Sequence, residues 1–147
     1  MAEGSLRLWF HDDGDGTGEL IARAEAHGFS GESGAHFDKQ SLESFAMKLE
    51  AFPLVGRPSI ASGFWDRARH GEMGQENLAI ECYAVDAQGH LGLRVRLATE
   101  LWPPARAESQ HTVALEMRTT YEPLRRFSRA IVALLRGDAE EAILEGE

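Results

Sequence analysis

Between Leu78 and Tyr121 apolar side chains recur at every second position in three separate runs, and an amphipathic helical pattern follows at once. The runs are Leu78, Ile80, Cys82 and Ala84; then Leu91, Leu93, Val95, Leu97 and Leu101; then Val113, Leu115, Met117 and Tyr121. Between them stand Glu81, Arg94, Arg96, Glu116 and Arg118. Because side chains of a strand alternate faces, this is the pattern of an antiparallel meander with one apolar and one charged side. The short connection DAQGH sets Glu81 opposite Arg94 or Arg96, a pairing of opposite charges in either register. The second connection, WPPARAESQ, contains two prolines that cannot donate ladder hydrogen bonds, so it is expected to bulge from the sheet end. The helix starts near Pro123, carries Leu124, Phe127, Ile131 and Leu134 or Leu135 on one stripe, and stops at Gly137. That stripe is the natural roof for the apolar side of the meander.

The N-terminal half supplies further strands. Leu6, Leu8 and Phe10 alternate with Arg7 and Trp9, and the strand ends at the polar turn HDDGDGTG. Glu19 to His27 is rich in helix formers and could run from a Thr17 cap to a Gly28 stop, yet a hairpin partner for the first strand is the better reading. The glycine-spaced FSGESGAHF that follows suits a bent strand or a bulge. A helix over Lys39 to Ala51 places Leu42, Phe45, Ala46, Leu49 and Phe52 three or four apart, with Asp38 or Ser41 as its cap and Pro53 as its end. Ser59 to Trp65 reads as a short strand and DRARHGEMGQE as a polar loop. The expectation is therefore an α+β fold, one domain over residues 1–147, in which an antiparallel sheet of about six strands packs with two amphipathic helices. The tail 138–147, with only Ile143 and Leu144 to dock, is expected to be partly ordered.

Charge and composition narrow the function. The 24 Asp and Glu outnumber 15 Lys and Arg, and a formal charge of -9 repels nucleic-acid backbones and anionic lipid headgroups. No run of about 18 apolar residues is present to span a bilayer, and the first residues are too polar for a signal segment, so a cytoplasmic protein is expected. The single cysteine, Cys82, excludes an intrachain disulfide and sits on an apolar strand face, where a core role is expected. A reactive thiol would need a nearby cation such as His90 or His111.

The densest polar cluster is His11, Asp12, Asp13 and Asp15, whose D-x-D spacing resembles the start of a calcium loop. Counted from Asp13, however, the twelfth position is Ala24, which cannot supply the bidentate carboxylate, and Asp with Gly is also what a hairpin turn requires. No two histidines stand four apart, no serine lies in a G-x-S-x-G elbow, and no glycine run matches a phosphate loop. The sequence thus supplies no catalytic, cofactor-binding or metal-ligating set, and His36 and His111 remain only isolated candidate bases. Core packing is expected for Trp9 and Trp65. Trp102, beside Pro103 and Pro104, is the best candidate for an exposed anchor. Candidate partner-binding residues are accordingly Asp12, Asp13, Asp15 and Trp102.

Four segments, in order and covering most of the chain, carry a likeness to a known group. Glu19 to Phe37 (GEL, GFSG, AHF), Ser44 to Pro53 (SFAMKLEAFP), Gly89 to Leu97 (GHLGLRVRL) and Thr119 to Leu135 resemble WapI-type bacterial immunity proteins and related small bacterial proteins of unknown function. The shared features are structural glycines and apolar positions. The resemblance implies an α+β fold, Glu19 to His27 as a strand, and neutralisation of a cognate toxin by binding, and it carries over no catalytic residue. An acidic chain fits a basic toxin domain as partner through electrostatic steering. The alternative is a small-molecule or metal-binding protein, with or without catalysis, that uses the His11–Asp15 loop or an open sheet end. A third reading is a homo-oligomer formed through a strand edge or an apolar patch.

Overall fold

The computed structural model describes residues 3–66, 72–102 and 104–147. The chain is α+β, with strands β1 (Gly4–Asp12), β2 (Thr17–Ala26), β3 (Phe29–Asp38), β4 (Ser59–Asp66), β5 (Glu72–Ala84), β6 (His90–Ala98), β7 (Thr112–Thr120) and β8 (Ala142–Gly146). Helix α1 (Lys39–Leu49) follows β3, and helix α2 (Tyr121–Leu135) follows β7. The expected single sheet of about six strands is in fact two antiparallel sheets of four, ordered β3-β2-β1-β8 and β4-β5-β6-β7. Each has one apolar face, and two such faces are best hidden against each other. In the first sheet Leu6 lies between Ala24 and Leu144, and Leu8 between Ala22 and Ala142. In the second, Ile60, Ile80, Val95 and Leu115 form one cross-strand row.

The two inner faces complement each other in size. Alanines 22, 24 and 26 make β2 a shallow surface, whereas the β6 residues Leu91, Leu93, Val95 and Leu97 are bulky, and all seven are buried. Glycine eases the contact between the sheets: a Cβ on Gly31 would lie 2.5 Å from the Val113 side chain, which would have to shift to admit it. The stripe of α2 is not the roof of the meander that was expected: β2 and β3 of the first sheet cover the meander, and among the strands α2 packs mainly on β8 and β1. The stripe joins the core through Leu124, Phe127, Ile131, Leu134 and Leu135, each at most 4% exposed, and α1 adds Leu42, Phe45, Ala46 and Leu49. The Ser128 hydroxyl donates to the Ala46 carbonyl at 2.5 Å and ties the two helices together.

Glu19 to Ala26 lies in a strand, β2, as expected, while His27 belongs to the turn that follows it. His27 and Gly28, at φ 53° and 85°, form the two-residue turn between the paired Ala26 and Phe29, a conformation matched to strand twist. The glycines of FSGESGAHF do not make a bulge, because β2 and β3 pair without a shift from Thr17–Asp38 to Ala26–Phe29. Register shifts fall instead in β4, between Ser62 and Gly63 and between Phe64 and Trp65. Asp38 caps α1, its carboxylate accepting from the Gln40 amide at 3.1 Å, and the helix stops at Leu49, before Ala51, so Phe52 lies past its end, 73% exposed, and does not join the buried stripe.

Other expectations need correction. The tail is a strand: Ala142 and Leu144 are buried, and β8 pairs with β1 from Gly4–Gly146 to Leu8–Ala142. Alternating residues suffice when an edge is waiting to be paired, although a five-residue pattern is too short to announce itself. Strand β5 begins at Glu72, inside the stretch expected as a polar loop, while residues 67–71 and Pro103 lie outside the described residues. Leu101 lies past the end of β6, and Tyr121 opens α2. Trp9 is half-buried on the outward face opposite Ile21, because Leu6 and Leu8 already take the inward positions of β1. The side chain of Trp65 lies outside the described residues. Among the described residues, no helix is long and apolar enough to cross a membrane.

Candidate functional site

The acidic turn between β1 and β2 uses its own oxygens. Asp12 accepts from the Gly14 amide at 2.8 Å and from the Lys39 ammonium at 2.7 Å, and the Lys39 hydrogen bond holds its carboxyl below the usual range. Asp15 accepts from the Thr17 hydroxyl at 2.7 Å and its amide at 3.1 Å, which lowers its pKa likewise. Asp13 stands 3.4 Å from His36, and His11 lies 3.9 Å from Glu19. These are the bonds of a closed hairpin turn docked on the start of α1. Among the described residues, no three His, Cys, Asp or Glu side chains are grouped so as to hold a metal ion.

The Trp102 loop is organised in the opposite way, by side chains from elsewhere in the chain. Gln75, on β5, grips the Leu101 backbone at two points: its amide nitrogen donates to the carbonyl at 2.5 Å and its oxygen accepts from the amide at 2.9 Å. The fully buried Asn77 donates to the Ala98 and Thr99 carbonyls, each at 3.2 Å. Across the loop the Gln110 amide also reaches the Thr99 carbonyl, at 2.9 Å, and the Thr99 hydroxyl accepts from the His111 amide. Ser33 of β3 donates to the Ala98 carbonyl at 2.7 Å. From this anchored base Trp102 stands 50% exposed, its indole N–H donating to Glu100 at 3.1 Å.

The structure does not gather the candidate residues into one place. The acidic turn is bound to Lys39 and His36 at the C-terminal end of β3, whereas the Trp102 loop is fastened to β5 and to Ser33, farther back along β3. Sequence reasoning missed Gln75 and Asn77. The sole local signal was composition, since Asn is depleted in strands; its position one step before Leu78 fits the alternation and does not mark it.

The remaining polar groups are absorbed by the outward face of the second sheet. Glu81 lies opposite Arg94, and Arg94 opposite Glu116. Arg57 pairs with Glu81 and stacks 4.3 Å above the Tyr83 ring, while the Tyr83 hydroxyl donates to Glu116. Burial, then the Glu116 hydrogen bond and charge, push this phenol up to about 12. Gly92 leaves the space that the Tyr83 ring fills. His90 is held by Asp86 at 2.7 Å. Cys82 is fully buried, and burial pushes its thiol up to about 12, so it has no thiolate to attack with at neutral pH.

Concave surface with ionisable groups exists at one end of the first sheet. An open groove of about 470 Å³ at the Ala26–Phe29 end of the first sheet brings together Glu3, Arg7, Glu25, His27 and Glu145 around an exposed Phe29. His27 and Glu3 are 3.6 Å apart there. A nucleophile, its base and a donor for developing charge, aligned within hydrogen-bond reach, are what acid–base or covalent chemistry would need. No protein-family model, curated protein or solved structure matches the chain.

Proposed function

We propose that this protein is a binding module that acts by protein–protein contact, and that its biological form is a bacterial immunity protein which neutralises a basic toxin domain in the cytoplasm. The observation that carries this reading is Trp102, half-exposed on a loop whose backbone is pinned by Gln75, Asn77 and Gln110. A tryptophan held ready on a fastened loop forfeits little conformational freedom on association, and such residues supply a large share of interface energy. The formal charge of -9 supports a cationic partner, since long-range attraction speeds encounter and weakens with salt. Asp12, Asp13 and Asp15 contribute to that field as a charged end of the molecule, while Trp102 supplies the anchor.

The alternative, a metal or small-molecule site at His11–Asp15, is less well supported, because both Asp12 oxygens are engaged by Gly14 and Lys39 and Asp15 Oδ1 by Thr17. The test is co-expression with candidate basic toxin domains drawn from neighbouring genes, followed by calorimetry on each purified pair. Growth rescue, with an affinity that falls as salt rises and drops at least tenfold in Trp102→Ala, is the expected result. Absence of both rescue and heat of binding would remove the reading.

A further inference from the structure

The sheet edges are not closed alike. β4 is broken by its two register shifts, β8 is only five residues long, and at the edge of β7 the Arg118 carbonyl already accepts from the Glu147 amide at 2.8 Å. β3 is different: it is ten residues long, contains neither lysine nor proline, and pairs with β2 without a shift. The Lys39 amide donates to the Gly16 carbonyl, which fixes the alternation along this pair. Phe37, Ala35, Ser33 and Gly31 therefore turn their peptide groups to β2, whereas His36, Gly34, Glu32 and Ser30 turn theirs to the open side. The His36 carbonyl is met there by the Ser62 hydroxyl at 2.6 Å. Among the described residues no strand pairs with Gly34, Glu32 and Ser30 on that side, and Glu32 and Ser30 are exposed. Ser33, donating to the Ala98 carbonyl, fastens the strand from its inner face. A groove of about 220 Å³ runs beside Ser30 and Glu32, lined also by Thr99, His111 and Thr112.

Open peptide N–H and C=O groups at strand spacing are matched by one thing, another extended backbone. The outward side chains of β3 specify which. Trp9 and Ile21, both half-buried, lie in one cross-strand row that ends at Gly34, where no side chain continues it. In the next row Arg7 and Arg23 lead to Glu32. Arg23 leans to Glu25 at 3.8 Å, and among the described residues no group bonds the Glu32 carboxylate.

We propose that the Ser30–Gly34 edge of β3 is a strand-addition site for an extended segment of a partner protein, one that carries a large apolar residue and, two positions later, a lysine or arginine. The segment runs antiparallel to β3, as every pairing in both sheets does. It then sets its apolar side chain over Gly34 against Ile21 and its cation beside Glu32, while its other face turns to the groove. A second copy of this chain does not fit, because twofold pairing through Ser30, Glu32 and Gly34 sets the two Glu32 carboxylates directly opposite each other. The inference rests on the reading of the protein as a binding module for a cationic partner, but not on Trp102.

The test titrates the isotope-labelled full chain with a synthetic threonine-rich strand of about ten residues that holds a leucine and, two positions on, a lysine. A glutamate-for-lysine peptide and one N-methylated at the amides facing β3 are run in parallel. The expected result is saturable movement and slower hydrogen exchange of the Ser30, Glu32 and Gly34 amides with the lysine peptide alone, weaker as salt rises. Glu32→Lys lowers that affinity at least tenfold and transfers preference to the glutamate peptide, with an unchanged circular dichroism spectrum. Ser30→Pro removes an edge donor without a ladder bond and weakens binding as well. The proposal is overturned by no saturable binding, by equal binding of the N-methylated peptide, by indifference to Glu32→Lys, or by protection of the same amides on concentrating the free chain. A toxin domain that binds without protecting these amides overturns it and leaves the Trp102 reading intact. Peptide binding as described, with no neighbouring toxin domain bound, supports it and removes that reading.

Discussion

The acidic turn and the Trp102 loop are both polar connections between adjacent antiparallel strands, and both stand out in the sequence, yet they are built in opposite ways. In the turn, both Asp12 oxygens and Oδ1 of Asp15 bond to the turn's own amides, to Thr17 and to Lys39. In the loop, Leu101, Thr99 and Ala98 are held by Gln75, Asn77, Gln110 and Ser33. A connection that satisfies itself has little left to offer a partner. One fastened from outside can turn its largest side chain to solvent without losing its shape, as Trp102 does.

Both connections rest on one core, and the largest effect should come from breaking it. Phe127→Ala removes a ring that is 1% exposed, and denaturant unfolding should show a loss of about 3–5 kcal/mol. Next is the clamp. Asn77→Ala should cost about 1 kcal/mol, because the Ala98 and Thr99 carbonyls keep Ser33 and Gln110 as donors and the buried, unpaired Asn77 Oδ1 disappears with the side chain. Hydrogen exchange at the Leu101 and His111 amides should quicken in that variant, with the turn amides of Gly14 and Thr17 unaffected. Equal quickening in both regions would break the contrast.

Trp102→Ala should leave unfolding within about 0.5 kcal/mol of the parent while weakening partner binding, since exposed positions contribute little to the fold. Smallest is the effect of Lys39→Met, which should raise the Asp12 carboxyl towards its ordinary value of 3.8 in a carbon-detected titration. The folded-state pKa of Asp12 is depressed, so its support of the turn is present above 3.8 and is lost as the pH falls through the lower folded value. An unmoved Asp12 would mean that the turn amides alone set its ionisation.

Strand and helix identity was legible where a side-chain period ran long enough. The alternation of Leu91, Leu93, Val95 and Leu97 and the stripe of Leu124, Phe127 and Ile131 appear in the structure as strand and helix, and Glu81 does face Arg94. Site geometry was less legible. Trp102 was recognisable by its prolines, but the turn read as a candidate contact because composition shows carboxylates without showing what they bond. The Gln75 and Asn77 clamp joins residues more than twenty positions apart, beyond the reach of any local pattern.

Taken alone, the chain's order of residues decided which side chains share a face, that α1 is capped at Asp38 or Ser41, and that Cys82 points inward. Those outcomes depend on periods of 2 and 3.6 and on bonds spanning a few residues. Tertiary structure alone decided that eight strands part into two sheets, that Ala142 to Gly146 completes the edge of the first, and that Trp9 stays half-exposed. The physical reason is that the hydrophobic effect has no direction: it requires each apolar face to be covered but does not name the cover. That choice fell to size, with the Ala-lined β2 and Gly31 admitting the bulk of the opposing sheet.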